Sequence, residues 1–372
     1  MMRILQLGKF YPIIGGVEKV MVDLLKGLSL HGVSCDMLCC NAEVGKPKVI
    51  IDIAPNAQLI CVKAGLKKFS TMISFQMITE LRRICHDYDI IHIHQPDPMA
   101  TLALLLSGYT GKVVVHWHSD ILSQKALLLF YLPLQSWLLN RANAIVGTTP
   151  IYIKESPFLR NFQSKCTYLP IGIHPIVWND TKVEEIRSRY PQKHIIFSLG
   201  RLVYYKGFEY LIDAARNLPD NYVVLIGGSG ELRKDLQNRI ETHGLQDKVI
   251  LLGRISDESL PNYFRACDIF CLSSILKTEA FAIVQIEAMS CGKPIVATLI
   301  PGSGVSWVNA EGVSGVNVPI ADSDALAKAF KMILEDEKRR EQLAKGAKQR
   351  FQTVFLFENM INKCIEIYRS LL

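Results

Sequence analysis

The sequence predicts an α/β protein built from two doubly wound, Rossmann-like parallel sheets facing each other across a cleft. Three observations carry this. Short apolar runs of strand length alternate with helical patterns along the whole chain. The alternation restarts once, after a Pro- and Gly-rich segment, Tyr168 to Pro175 (Y-L-P-I-G-I-H-P). The length, 372 residues, suits two domains rather than one. The expected division is 1–172 and 173–355, with the last helix, 356–372, long enough to cross back onto the first domain.

Composition narrows the class. Apolar residues make up 49% and charged residues 21%, the balance of a globular protein with a sizeable core. Ten cysteines are scattered with no C-x-x-C and no zinc spacing, which suits a reducing compartment. The N-terminus, M-M-R-I-L-Q-L-G-K-F, lacks the apolar core of a signal peptide, so a cytoplasmic location is expected. The most apolar run, Ala126 to Leu139, is too short to span a bilayer and contains Pro133, Gln135 and Ser136. Residues 1–172 carry 17 Lys+Arg and 11 Asp+Glu, a net +6, whereas residues 173–372 carry 25 and 24, a net +1. That asymmetry fits an anionic membrane surface or anionic substrate on the first domain, or a mildly basic solvated face. No basic run is interleaved with aromatics, which argues against nucleic acid.

In chain order, Arg3 to Leu7 reads as the first strand. Gly8 to Gly16 reads as a loop holding Gly15-Gly16, and a helix starts near Val17. Such a turn brings backbone N–H groups to an anion, although many bind nothing. Strands follow near Ser34 to Cys39 and Gln58 to Val62, then a helix over Ser74 to His86. Asp89 to His94 (D-I-I-H-I-H) and Lys112 to Asp120 (K-V-V-V-H-W-H-S-D) are buried strands that each end in H-x-H. Alternation places His92 with His94 on one face, and His116 with His118. Zinc ligation, core packing and substrate binding all remain open for them. A helix over Ser123 to Asn140 is either core or membrane-facing. The strand Ala144 to Thr148 closes the first series.

The second series begins at His194. Its first strand runs into R-L-V-Y-Y-K-G, where Arg201 and Lys206 flank a turn suited to gripping phosphates from two sides. A helix over Phe208 to Arg216 follows, then the strand Tyr222 to Ile226, G-G-S-G-E and a helix from Leu232. The strand Val249 to Leu252 leads into G-R-I-S, followed by a helix over Ser259 to Ala266 and the strand Ile269 to Ser273. The stretch Lys277 to Thr298 holds a helix that is apolar on nearly every side and is stopped by Gly292 and Pro294, after which Ile295, Val296 and Ala297 read as a short buried strand. Glu279 falls just before it and Glu287 inside it. A carboxylate in such a helix needs a partner. Glu287 therefore either pairs internally or binds a polyol such as ribose. A helix over Asp324 to Leu334 and the terminal helix complete the chain.

The order of these motifs resembles the retaining GT-B glycosyltransferases marked by two glutamates with seven residues between them. The matching positions are Gly15-Gly16-Val17-Glu18, H-S-D at His118, G-R-L…K-G over Gly200 to Gly207, G-G-S-G-E at Gly227 and Glu279…Glu287. H-W-H-S-D and P-D-P-M-A are most similar to segments of bacterial lipopolysaccharide O-chain mannosyltransferases. The resemblance implies transfer of a hexose, with mannose from GDP-mannose favoured over a UDP-sugar. The acceptor it implies is a polyprenyl-diphosphate-linked saccharide at the inner face of the cytoplasmic membrane. No metal cofactor is expected. Arg201 and Lys206 are expected to neutralise the leaving diphosphate. Glu279 is expected near the anomeric carbon, His118 on the donor sugar and Glu287 on the ribose. Backbone at Gly15, Gly16, Ala280, Phe281, Ala282 and Ile283 is expected at the phosphates, and Arg254-Ile255 against the base. Two features depart from the family: Ala280 and Ala282 stand where glycines are usual, and G-S-G at 302–304 stands where many relatives have G-G. An epimerase on the same architecture and a non-catalytic sugar-binding protein are the competing readings. Glu279 and Glu287, if two helical turns apart, are too distant for a retaining glycosidase pair.

Overall fold

The computed structural model describes residues 2–13, 15–68, 71–121 and 125–372. They form two compact units, one running to Ile171 and joined by Phe357–Leu372, the other spanning Gly172–Leu356.

The first unit contains β1 (Arg3–Tyr11), α1 (Gly16–Leu30), β2 (Ser34–Val44), β3 (Val49–Ala54), β4 (Ala57–Ala64), β5 (Leu66–Lys68) and β6 (Thr71–Ile73). It continues through α2 (Phe75–Ile84), β7 (Ile90–Gln95), α3 (Pro98–Ser107), β8 (Lys112–Trp117), α4 (Lys125–Arg141), β9 (Ala144–Gly147), α5 (Pro150–Glu155) and β10 (Cys166–Tyr168). Its eight-stranded sheet has the order β10-β9-β8-β7-β1-β2-β4-β3. Every pairing is parallel except the edge pair β3–β4. The chain leaves β1 toward one edge and returns to the other side at β7, so the strand order reverses between β1 and β7. That is where an open parallel sheet leaves a crevice at its strand ends.

The second unit contains α6 (Asp180–Ser188), β11 (His194–Leu199), α7 (Phe208–Ala215), β12 (Tyr222–Gly227), α8 (Arg233–Thr242), β13 (Val249–Gly253), α9 (Leu260–Ala266) and β14 (Ile269–Leu272). It continues through α10 (Ile283–Ser290), β15 (Ile295–Leu299), α11 (Val305–Val308), β16 (Gly315–Pro319), α12 (Ser323–Leu334) and α13 (Glu337–Arg350). Its six strands, in the order β13-β12-β11-β14-β15-β16, are all parallel. The reversal here lies between β11 and β14. Buried on both faces, these strands are continuous apolar runs such as I-I-F in β11 and I-F-C-L in β14.

Helix α14 (Phe357–Arg369) belongs to the first unit. Met360, Ile361, Cys364, Ile365 and Tyr368 recur at helical spacing and are buried. Gly27 makes room for it on α1. A Cβ there would lie 2.4 Å from Ile361 Cδ1 and 2.8 Å from the Phe357 ring.

Several elements differ from the sequence reading. β1 continues through Gly8 and Lys9 to Tyr11, with its register against β2 shifting between Leu7 and Phe10. The predicted loop over 8–16 therefore shrinks to its end. β3 and the β5–β6 hairpin were not expected: β5 and β6 are three residues each, while β3 carries an apolar run, V-I-I-D-I-A, that was overlooked although it lies largely exposed at the sheet edge. The predicted helix over Ser123 to Asn140 begins partly outside the described residues. α13 escaped notice because only Leu343 and Ala347 are buried in its 14 residues. α10 is not buried all round: Ile283, Val284 and Glu287 form a partly open face. Glu279 precedes the helix altogether, so helical rise gives no distance between the two glutamates.

Replacing Gly27 with Val should destabilise the fold by about 1–3 kcal/mol through overpacking against α14. Urea denaturation monitored by circular dichroism measures it; an unchanged midpoint would mean that Ile361 swings away without cost.

Candidate functional site

The residues at the reversal point of the second sheet converge most tightly. β11 ends at Leu199, and Gly200 to Gly207 turn through a short 3₁₀ segment, Tyr204–Lys206, into α7. The neighbouring β14 ends at Leu272 and continues into Ser273, Ser274 and the Glu279 loop. Lys206 is buried, and its Nζ donates to Glu279 Oε2 at 2.5 Å. Ser274 Oγ donates to the same oxygen at 2.9 Å. Ser273 Oγ donates to the Lys206 carbonyl at 2.9 Å, tying the two loops together. A buried carboxylate is stable only with such partners. Arg201 stays exposed on the same loop, its Nη2 donating to the Tyr205 hydroxyl at 3.3 Å. The structure thus joins Lys206 to Glu279 and leaves Arg201 outside that contact.

The Glu279 loop is clamped from behind. Ser303 Oγ donates to the Glu279 carbonyl, and the Gly304 N–H donates to the Ala280 carbonyl at 3.0 Å. This gives the G-S-G departure a purpose: its serine and second glycine hold the backbone that carries Glu279 and Ala280. Ala282 caps α10 with φ 62 and ψ 78, a left-handed conformation that costs an alanine roughly 1–2 kcal/mol. The glycine usual in the resembling family carries no such penalty. Phe281 is buried edge-to-face on Phe355, which meets Trp307 in the same way. The Arg350 guanidinium lies over both Trp307 and Phe355. Glu287 is half-buried on the open face of α10.

The glycine loop after β12 has a packing role. Gly228 adopts φ +134, and a Cβ there would lie 1.8 Å from the Gly200 carbonyl oxygen. Its N–H donates to the Gly253 carbonyl at 2.7 Å, and the Leu202 N–H donates to the Ser229 carbonyl at 2.9 Å. The loop therefore braces the Arg201–Lys206 turn. At the end of β13, Arg254 is exposed, while Ile255 is half-buried against Gly227.

In the first unit, Gly15 and Gly16 are exposed at the start of α1. The Gly15 N–H donates to Glu18 Oε2 at 2.8 Å, so the amide expected at a phosphate already has a carboxylate partner. His118 lies just beyond the end of β8 and is 5% exposed. His92, His94, His116 and His118 stack, with ring centroids 4.0–5.2 Å apart between neighbours. Burial pushes all four below the usual imidazole range, His116 to about 3, so the stack is neutral at physiological pH. Ring nitrogens of His92, His94 and His116 lie within 4.8 Å of one another, close enough to suggest a metal. However, both nitrogens of His94 are hydrogen-bonded, and the three rings are tilted by only 10–33°, so their in-plane lone pairs do not converge on one point. The Asp120 of H-S-D is structural: its Oδ1 accepts from Trp117 Nε1 and Ser156 Oγ.

Ser274 was missed by sequence reasoning, and Ser303 was noticed only as part of the G-S-G departure, without a role. A serine just past a strand end, as Ser274 is, is too common to single out. Only their shared contact with Glu279, across 5 and 24 residues, reveals them.

Comparison with known proteins agrees with this geometry. The Glycosyl transferases group 1 model matches residues 179–350, and the Glycosyltransferase Family 4 model matches residues 14–174. An O-antigen chain mannosyltransferase of Escherichia coli is 30% identical over 377 residues, covering 100% of this chain and 99% of its own. A D-rhamnosyltransferase of Pseudomonas aeruginosa is 29% identical over 361 residues, covering 95% and 92%. The sucrose-phosphate synthase of Thermosynechococcus elongatus superposes with a TM-score of 0.78 at 22% identity, over 100% and 99% of the two chains. Anabaena HepE, solved in complex with UDP, does so at 0.80 and 21%, over the whole of both chains. Fold and motifs together define a GT-B glycosyltransferase. The chain belongs to the group 1 glycosyltransferase family, with a family 4 N-terminal unit.

Replacing Lys206 with Ala should cost roughly 3 kcal/mol by stranding Glu279 without its cation. Adding Glu279→Gln to that variant should recover much of the loss in a denaturant titration. Additive losses would mean that the pair carries little mutual stabilisation.

Proposed function

We propose that this chain is a retaining hexosyltransferase that moves mannose from GDP-mannose to a polyprenyl-diphosphate-linked saccharide. It works peripherally on the inner face of the cytoplasmic membrane, in synthesis of an O-antigen type of cell-surface polysaccharide. The observation that carries the reading is the Lys206–Glu279–Ser274 cluster at a sheet reversal point in a member of this family. Full-length similarity to an O-antigen chain mannosyltransferase supports the sugar and the pathway class.

In this reading the donor's diphosphate meets Arg201 and Lys206. Lys206 then shares its charge between Glu279 and the leaving phosphate, stabilising negative charge as it develops. Glu279, held by Lys206 and Ser274, faces the anomeric centre as an acceptor of hydrogen bonds. Glu287, on the open face of α10, takes the ribose hydroxyls. Amides over Ala280 to Ile283 approach the phosphates, and Arg254-Ile255 border the base. His118 bonds the donor sugar. The leaving phosphate takes the acceptor's proton and the new bond forms on the same face. No metal is required, because cationic side chains and a helix N-terminus occupy its role. A UDP-sugar donor is the second reading, favoured by the UDP bound in the structurally similar HepE.

Arg201→Ala should lower kcat/KM by roughly 100-fold or more with GDP-mannose and a lipid-linked acceptor, with EDTA present throughout. Wild-type turnover in that variant would remove the diphosphate role, and activity appearing only with a UDP-sugar would select the second reading.

The membrane part rests on one surface of the first unit. Leu102, Leu105 and Leu106 form an exposed apolar stripe on α3, with Phe75 on α2 and Phe130 on α4 also exposed. These three helices pack side by side. Lys63 and Lys67 are exposed nearby in sequence; the Lys68 side chain and Phe69 lie outside the described residues. Basic groups at an anionic bilayer contribute about 1 kcal/mol each. Changing Lys63, Lys67 and Lys68 together to Glu should weaken co-sedimentation with anionic liposomes, as should high salt. A triple variant that sediments like the wild type would exclude this docking surface.

A further inference from the structure

The buried histidines are not a simple stack. They belong to a directed chain of hydrogen bonds that begins on the C-terminal helix. Gln6 Nε2 donates to the Tyr368 hydroxyl at 3.3 Å. The Tyr368 hydroxyl, having accepted that bond, lies 2.6 Å from His92 Nδ1, where the His92 tautomer decides which of the two atoms donates. With its amide nitrogen pointed at Tyr368, Gln6 turns its Oε1 toward His94 Nε2, which must then carry the proton. His94 is neutral in this setting, so its Nδ1 is left as an acceptor. His118 Nε2, 2.8 Å away, has to be the donor. His118 Nδ1 is consequently a bare lone pair, with no hydrogen-bond partner among the described residues. Gln6, His92, His94 and Tyr368 are fully buried, so no solvent competes for these bonds.

We propose that Tyr368 on α14 sets the tautomer of His118 through Gln6 and His94, making the terminal helix a positioning element for that histidine. The physical basis is that Gln6 is the one member of the chain able to turn round. A flipped amide would present N–H to His94 Nε2. His94 would then need its proton on Nδ1, His118 would accept at Nε2, and its outward nitrogen would become a donor. In this relay the Tyr368 hydroxyl gives its own proton to His92 Nδ1, and it acts as the lock because it then only accepts from Gln6 Nε2. Without that hydroxyl, Gln6 retains only a long contact to Cys35 Sγ, 3.8 Å, and a thiol serves either end of the amide. The chemical consequence is a choice of partner. The Nε2–H tautomer receives a hydrogen bond from a ligand hydroxyl, whereas the flipped one gives one. The consequence for turnover rests on the proposed contact of His118 with the donor sugar; the tautomer does not.

The test is side-chain ¹⁵N spectroscopy of protein labelled in histidine, with the His118 signals assigned by their loss in His118→Ala. The wild type should show His118 in a single form, protonated at Nε2. In Tyr368→Phe the two His118 nitrogen shifts should move toward averaging or exchange places, while kcat falls at least 5-fold. Ile361→Val, buried on the same helix but outside the chain, should lower thermal stability without moving those shifts. A wild-type His118 protonated at Nδ1 overturns the proposal before any variant is made. Unchanged His118 shifts in folded Tyr368→Phe overturn it too. A tautomer that moves as expected while turnover does not, together with full activity in His118→Ala, would uphold the relay and remove the sugar contact instead.

Discussion

The second unit depends on one buried ion pair. Lys206 comes from the turn after β11 and Glu279 from the loop after β14, and they meet because those strands are neighbours at the reversal of the sheet. Neither charge is tolerable there alone. Just past the end of β14, Ser274 adds a bond to the Glu279 carboxylate and Ser273 ties the Lys206 backbone. Around this pair, each loop is held by another: the Gly228 turn supports the Arg201 turn, and the Ser303–Gly304 turn supports the backbone of Glu279. Preorganisation of this kind leaves little to rearrange when a charged ligand arrives, which is what electrostatic catalysis demands.

The first unit solves a different problem. Its sheet carries four histidines on one side, and a cluster of buried imidazoles is destabilising if charged. Burial keeps them neutral, and stacking leaves His92 Nε2 and both nitrogens of His116 without partners among the described residues. A fold that carries such unsatisfied groups has reason to make the remaining bonds well. The hydrogen bonds through Gln6 and Tyr368 do that, using a residue of the last helix, whose apolar face packs on this unit. Gly27 on α1 permits the close approach that brings Tyr368 to the sheet.

How much of this was legible in the sequence follows from the physics of each signal. Buried parallel strands announced themselves as continuous apolar runs, and β11, β12, β14 and β15 fell close to their predicted places. Local chemistry also marked the turn holding Arg201 and Lys206. The polar α13 and the three-residue strands β5 and β6 gave no comparable pattern, because solvent-facing or very short elements are not selected for apolar periodicity; the apolar run of β3, V-I-I-D-I-A, was there to be read. α10 looked buried on all sides because composition records which residues are apolar, not which of them a neighbour covers.

The sequence by itself determined the architecture and the family, since periodicity and ordered motifs are properties of the chain read in a line. It also marked Glu279, Lys206 and His118 as candidates. Only the tertiary structure decided what these groups touch. Lys206 meets Glu279 across 73 residues, and Gln6 meets Tyr368 across 362. No local pattern encodes such separations, because the pairing is fixed by strand order and helix docking. The same holds for Ala282: its left-handed backbone is invisible in a sequence that shows only an alanine.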